Sequence, residues 1–131
     1  MSYLLDTNIV PFAIKKNLQI TQKLEAIKFQ GVPIYISCIT YFEIKRGLLA
    51  INSPKQTEIF NKIGQDYQII FLDDLAILEK ASEIHANLRL RGLPIQTEDI
   101  LIAATAIVKG FILVSNDRDL LRVEELSLEN W

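Results

Sequence analysis

The segment Tyr3-Leu4-Leu5-Asp6-Thr7-Asn8-Ile9 joins a short apolar run directly to residues that favour the start of a helix. The run at 3–5 is typical of a buried β-strand, and Asp, Thr and Asn are all effective helix N-caps. Farther along the chain, short strand-like runs keep alternating with longer helical ones. This alternation predicts βα units arranged around a largely parallel sheet.

The same pattern predicts the order of the elements. Strands are expected at 3–5, 34–37, 68–72, 112–115 and a short last one at 126–128, and helices at about 8–15, 20–29, 40–51, 54–65, 74–90 and 98–109. Glycine and proline breaks separate them, and none is long enough for an interdomain linker. We therefore expect one α/β domain over residues 1–131, with a small sheet of four or five strands flanked by helices.

Two neighbouring helices, at 40–51 and 54–65, predict a helical hairpin that projects from the sheet. Ile59, Phe60 and Ile63 lie on one face of its second helix. An apolar stripe of this kind either packs in the core or forms an exposed patch for a partner. Core packing is the favoured interpretation.

The bulk composition excludes several classes of protein. With 14 Lys and Arg against 16 Asp and Glu, the net charge of −2 excludes a uniformly basic nucleic-acid coat, so any RNA contact must be local. A single cysteine, Cys38, cannot form an internal disulfide. Apolar runs are too short to span a bilayer and the start lacks a secretory pattern, so we expect a cytoplasmic protein without a membrane segment.

Four acidic residues stand where predicted strands end or predicted helices begin: Asp6, Glu43, Asp99 and Asp117. In an open α/β sheet the carboxyl ends of the strands line one crevice, so these side chains should gather there. Gathered carboxylates repel one another, and a raised pKa or a hard divalent cation relieves that repulsion. The sequence thus predicts a divalent metal site with phosphoryl-transfer chemistry. Asp119 lies two residues after Asp117, and spacing does not decide which of them points inward.

Simpler structural roles compete for some of these acids. Asp6 could cap a helix, although the capping-competent Thr7 and Asn8 follow it and leave a metal role favoured. Glu43 fits a capping box with Thr40, and only its company with the other acids favours a site role. Asp74 is expected to be a helix cap, and the lone His85 cannot complete a zinc set.

Basic residues lie beside the acidic positions. Lys45 and Arg46 follow Glu43, and Arg118 follows Asp117. They could bind the phosphates of an RNA, or they could be ordinary solvated cations at helix ends. Both interpretations stay open on the sequence alone.

Four motifs, in order, closely resemble those of PIN-domain ribonucleases, and more narrowly of VapC-type toxins in bacterial type II toxin–antitoxin pairs. The motifs are Leu5-Asp6-Thr7-Asn8, Ile39-Thr40-Tyr41-Phe42-Glu43-Ile44-Lys45-Arg46-Gly47, Asp99-Ile100-Leu101-Ile102-Ala103-Ala104 and Leu113-Val114-Ser115-Asn116-Asp117-Arg118-Asp119-Leu120. This resemblance implies endonucleolytic cleavage of RNA that depends on Mg²⁺, or on Mn²⁺ in its place, with tRNA a frequent substrate of related toxins. It also implies a homodimer and a small VapB-like antitoxin.

The resemblance also carries residue roles. Asp6, Glu43 and Asp99 match family acids directly, and the fourth acid is either Asp117 or Asp119. Thr7, Ser115 and Asn116 match supporting polar positions.

From these matches we expect Asp6, Asp99 and Asp117 to bind one or two Mg²⁺ ions, while Glu43 orients or deprotonates the attacking water. Two rival functions are a phosphatase acting on small phosphoesters and a non-catalytic PIN-like interaction module.

Overall fold

The computed structural model describes residues 2–131, and its centre is a parallel sheet in the order β3-β2-β1-β4-β5. The strands are β1 (Tyr3–Leu5), β2 (Ile34–Ser37), β3 (Gln68–Ile70), β4 (Ile112–Val114) and β5 (Leu128–Glu129). Every neighbouring pair is parallel, which confirms the predicted fold class. The last strand starts later than predicted because the Leu126 N–H still donates to the Val123 carbonyl in a turn.

Six helices and a short 3₁₀ segment surround this sheet within residues 2–131. They are α1 (Val10–Ile14), α2 (Leu18–Phe29), α3 (Cys38–Ile51), α4 (Pro54–Ile63), α5 (Leu75–Leu90), α6 (Thr97–Lys109) and the 3₁₀ segment Arg118–Arg122. Helix α3 begins before the predicted position because Ser37 is its N-cap and accepts from the Ile39 N–H at 3.1 Å. The capping box between Thr40 and Glu43, which competed with the favoured site role of Glu43, is not formed, since Thr40 already lies inside the helix.

Two hydrophobic cores lie on opposite faces of the sheet. Successive strand residues point to opposite faces, so Leu4 enters the core formed with α5 and α6 and Leu5 enters the other core. In β4, Leu113 and Val114 divide between the cores in the same way. The central strands are thereby buried on both sides, as parallel strands usually are.

Helices α3 and α4 form the predicted hairpin. Phe60 of α4 and Leu48 of α3 are buried in the core on the Leu5 face of the sheet. Ile59 and Ile63 pack against the same core, so the apolar stripe of α4 belongs to the core, as the sequence favoured.

The strand arrangement places three chain segments at one edge of the sheet. The central strand β1 has β2 and β4 as its neighbours, and all three run in the same direction. Asp6, the α3 helix and Ser115 therefore all follow carboxyl ends of adjacent strands. Between residues 2 and 131, no helix is both long enough and apolar enough to cross a bilayer.

Candidate active site

The acids predicted from the sequence line one open cleft of about 580 Å³. Its walls are formed by Asp6, Thr7, Asn8, Pro11, Glu43, Pro94, Ile95, Gln96, Asp99, Asp117 and Asp119. The acids among them come from the ends of β1 and β4, from α3, from the first turn of α6 and from the 3₁₀ segment, and the other lining residues include Pro11 of α1 and the loop before α6. The acids that were expected to gather at the carboxyl edge of the sheet therefore do line the same cleft.

Asp6 is the most deeply buried acid of the cleft, with 3% of its surface exposed. Its Oδ1 accepts from the Thr7 N–H at 2.8 Å, and its Oδ2 accepts from the Ser115 hydroxyl at 2.7 Å. Burial raises the pKa of Asp6, the charges of Asp117 and Glu43 raise it further, and the two hydrogen bonds lower it. Helix α1 begins at Val10, so Asp6 does not cap it.

Ser115 connects Asp6 to two other parts of the cleft. Its buried hydroxyl oxygen accepts from Asn8 Nδ2 at 3.2 Å and from the Asp117 N–H at 3.0 Å while donating to Asp6. Asn8 was not among the predicted site residues. The signal was its place in the Asp6-Thr7-Asn8 run, which we interpreted as capping potential and as part of the first motif, without assigning Asn8 a role in the site.

The Glu43 carboxylate is held by the Thr7 hydroxyl, which in turn contacts the Thr40 hydroxyl. Its Oε1 accepts from the Thr7 hydroxyl at 2.8 Å, and the Thr7 hydroxyl lies 3.0 Å from that of the buried Thr40. Its other oxygen, Oε2, is 3.8 Å from Arg46 Nη2 at the rim, beyond a firm hydrogen bond. The Glu43 side chain is 22% exposed, so it faces the cleft with one oxygen fixed.

Asp99 carries the least compensated charge. It is half-buried in the first turn of α6, and within residues 2–131 no hydrogen bond to its carboxylate is formed. Burial raises the pKa of Asp99 to about 6, and the charges of Asp6, Asp117, Glu43 and Glu98 contribute to the rise. A cation in the cleft would therefore relieve more repulsion here than at an acid that already accepts hydrogen bonds.

Asp117 and Asp119 both line the cleft but differ in their surroundings. Asp117 is half-buried, and its Oδ1 accepts from the Asp119 N–H at 2.9 Å. Its charge acts on both Asp6 and Asp99. Asp119 is exposed, and its Oδ1 lies 3.2 Å from Arg122 Nη2. The geometry thus favours Asp117 as the fourth acid.

Other predicted site residues lie outside the cleft lining. Asn116 and Arg118 are exposed, and Lys45 is half-buried on α3. Asp74 accepts from the Ala76 N–H at 2.9 Å, which confirms its role as the N-cap of α5. His85 is exposed on the same helix, away from the acids.

The donor chemistry of the cleft fits a hard divalent cation. Its metal-ligating atoms are carboxylate oxygens, which Mg²⁺ prefers, and neither His nor Cys lines it. In the described part of the chain no three His, Cys, Asp or Glu side chains already converge into a complete metal site, so the acids surround the cleft rather than one point. Burial first, and then the charges of neighbouring acids, raises the pKa of both Asp6 and Asp99. Arg46 and Arg122 lie near Glu43 and Asp119, whereas no Lys or Arg of residues 2–131 forms an ion pair with Asp6 or Asp99.

A carboxylate cleft at the carboxyl edge of a parallel sheet marks this chain as an α/β protein with a site suited to a hard cation, which is the kind of site that phosphoryl transfer uses. The family model of the PIN domain matches residues 3–126. The chain belongs to the PIN-domain family.

Relatives that match over the full chain show which group of PIN-domain proteins this chain resembles. Ribonuclease VapC2 of Rickettsia felis is 31% identical over 139 residues, covering 100% of this chain and 98% of the relative. The tRNA(fMet)-specific endonuclease VapC of Shigella flexneri is 30% identical over 133 residues, with coverage of 100% and 98%. The solved structure of VapBC2 from Rickettsia felis bound to a promoter DNA fragment superimposes with a TM-score of 0.90 at 29% identity, covering 100% and 99% of the two chains. The protein is thus a VapC-type endoribonuclease of a toxin–antitoxin pair, as its motifs predicted.

Proposed function

We propose that this endoribonuclease hydrolyses RNA phosphodiester bonds in a reaction that depends on Mg²⁺, with Mn²⁺ able to substitute. The supporting observation is that Asp6 and Asp99, both with raised pKa values, face one cleft, and that neither forms an ion pair with a Lys or Arg of residues 2–131. When bound, the cation would supply Lewis-acid activation of water and charge neutralisation at the phosphate. All other roles fall to residues of the chain.

Asp6, Asp99 and Asp117 are the residues that we propose to hold the cation. Asp6 is fixed by hydrogen bonds to both of its oxygens, and Asp117 by the bond from the Asp119 N–H. Asp99 has no such bond within the described residues and can turn to complete the set. Two fixed acids and one adaptable acid suit a cation that requires a regular arrangement of oxygens.

Glu43 is the residue that we propose to orient the attacking water. Thr7 occupies its Oε1, whereas Oε2 is free to accept a proton or a hydrogen bond from water. Attack opposite the 3′ oxygen gives products with a 5′ phosphate and a 3′ hydroxyl.

The substrate and partners are proposed from surface charge and from the relatives. Arg46 at the rim, with Lys45 and Arg118, would bind RNA phosphates, which gives a salt-sensitive affinity. One relative is named a tRNA(fMet)-specific endonuclease, so we propose tRNA as the substrate class. Since solved neighbours are VapBC complexes, we propose a VapB-like antitoxin as the protein partner. We also propose that the enzyme forms a homodimer and acts in the cytoplasm.

The test is cleavage of total bacterial RNA by the purified chain, freed of any copurified antitoxin. Reactions with Mg²⁺ or Mn²⁺ are compared with EDTA, and Asp99→Asn is compared with Glu58→Gln, an exposed acid outside the cleft. Discrete fragments that require both the metal and Asp99 support the proposal. Intact RNA under every condition, with folded protein, would refute it, and hydrolysis of a small phosphoester would then favour a phosphatase.

A further inference from the structure

Beneath the cleft lies a threonine with no role in the proposed reaction. Thr40 is fully buried in α3 and does not line the cleft, so it cannot touch an RNA substrate. Its hydroxyl is 3.0 Å from the Thr7 hydroxyl, and within residues 2–131 this is its only side-chain hydrogen bond. The N-cap of α3 is Ser37, so Thr40 is not needed to cap the helix.

The direction of these hydrogen bonds follows from counting protons. Each threonine hydroxyl has one proton to donate. Thr7 donates its proton to Glu43 Oε1 at 2.8 Å, because an ionised carboxylate can only accept. The bond between the two hydroxyls must therefore run from Thr40 to Thr7. The result is an ordered chain, Thr40 to Thr7 to Glu43, in which each bond polarises the next.

We propose that Thr40 is a positioning residue that orients Glu43 through Thr7, an inference that rests on the proposed role of Glu43. The Thr7 N–H holds Asp6 Oδ1 at 2.8 Å while its hydroxyl holds Glu43. One residue thus sets the relative orientation of two acids, and Thr40 fixes the rotamer of that residue. Without the Thr40 hydroxyl, the Thr7 hydroxyl keeps only its bond to Glu43 among the side chains of residues 2–131.

The kinetic test compares Thr40→Val, which removes the hydroxyl at nearly constant volume, with Thr40→Ser, which retains it. We expect Thr40→Val to lower kcat by about ten- to a hundredfold, as a misplaced catalytic group does. KM should stay within about twofold, because no contact to RNA is lost. Thr40→Ser should restore most of the rate. Thr40→Ala replaces Thr40→Val if the latter does not fold.

A matched control separates positioning from simple burial of a polar group. Thr105 is equally buried, and its hydroxyl donates only to the Leu101 carbonyl of its own helix at 2.7 Å. Thr105→Val should therefore perturb the melting temperature about as much as Thr40→Val but leave kcat unchanged. Equal loss of kcat in both variants would show a general effect of destabilisation and overturn the proposal.

Side-chain NMR supplies a measurement that needs neither metal nor RNA. Three-bond couplings to the Thr7 methyl carbon report its χ1 rotamer. We expect a single rotamer in the unmodified protein and in Thr40→Ser, and averaging in Thr40→Val. A fixed Thr7 rotamer in Thr40→Val would overturn the proposal.

A double-mutant cycle tests whether Thr40 acts through Thr7. In a Thr7→Val background, adding Thr40→Val should lower kcat no further, since the hydrogen bonds from Thr40 through Thr7 to Glu43 are already lost. If Thr40→Val lowers kcat in that background by its full factor, Thr40 does not act through Thr7 and the proposal is refuted. Glu43→Gln distinguishes failure of the proposed function from failure of the Thr40 proposal. Unchanged kcat in that variant overturns the role of Glu43 itself. Loss of kcat in Glu43→Gln together with a normal rate in Thr40→Val overturns only the positioning role of Thr40.

Discussion

Replacing Asp99 by asparagine should stabilise the metal-free protein while removing its activity. Asp99 carries a charge that is half-buried among Asp6, Asp117 and Glu43 without a hydrogen bond within the described residues. Asparagine has nearly the same shape but no charge to desolvate. The change therefore relieves repulsion in the fold and deletes a proposed cation ligand at the same time.

The magnitude and its pH dependence follow from the pKa of Asp99, which is raised from 3.8 to about 6. Such a rise corresponds to about 3 kcal/mol for a fully buried group, and solvent screening of this partly exposed one reduces it to about 1 kcal/mol. Well below pH 4 the carboxyl is protonated in both the folded and the unfolded state, so it costs no stability. Between about pH 4 and 6 the unfolded chain loses the proton first, so the folded state loses stability as pH rises. Above pH 6 the full penalty is present.

The assay is thermal unfolding in EDTA, followed by circular dichroism at several pH values. Asp99→Asn should raise the melting temperature by roughly 3–5 °C at pH 7.5 and by little near pH 4. Glu58→Gln, which loses an exposed charge paired with Lys62 at 3.5 Å, should change it by much less. Added Mg²⁺ should stabilise the unmodified protein more than Asp99→Asn. A variant that melts lower than the unmodified protein at pH 7.5 would show that this carboxylate is not a source of repulsion.

Three further predictions concern the surroundings of the acids. Ser115→Ala should lower kcat more than tenfold, because Asp6 loses the donor 2.7 Å from its Oδ2, and normal single-turnover rates would contradict this. Arg46→Ala should weaken RNA binding and reduce its salt dependence in filter-binding titrations, whereas Lys62→Ala, also an exposed helix cation, should change neither. Ser37→Ala removes the N-cap of α3 and should lower the free energy of unfolding by about 1 kcal/mol in urea titrations. An unchanged urea midpoint in this last variant would show that the cap contributes nothing.

The sheet and the meeting of the acids could be predicted because both depend on short-range patterns. Apolar runs such as 3–5 and 112–115 identify strands, and parallel strands bring their carboxyl ends to one edge. Asp6 and Asp117 could therefore be placed in the same cleft although 110 residues of sequence lie between them.

Hydrogen-bond partners inside the site could not be predicted in this way. Two candidates compete to cap α3, and Ser37 prevails over Thr40 because β2 ends there. That choice depends on strand register, which local spacing does not contain. Once Ser37 caps the helix, Thr40 moves one turn inward and meets Thr7, a contact across 33 residues of chain.

The central position of β1 has a consequence for how the enzyme can lose activity. Asp6 leaves the strand that pairs on both edges and is buried on both faces, so no partial opening of the domain can expose it alone. The β5 edge of the sheet can fray while Asp6 keeps its place beside the central strand. The position of Asp6 should therefore be lost only with global unfolding, so proteolysis that acts through local opening elsewhere should leave this part of the site intact.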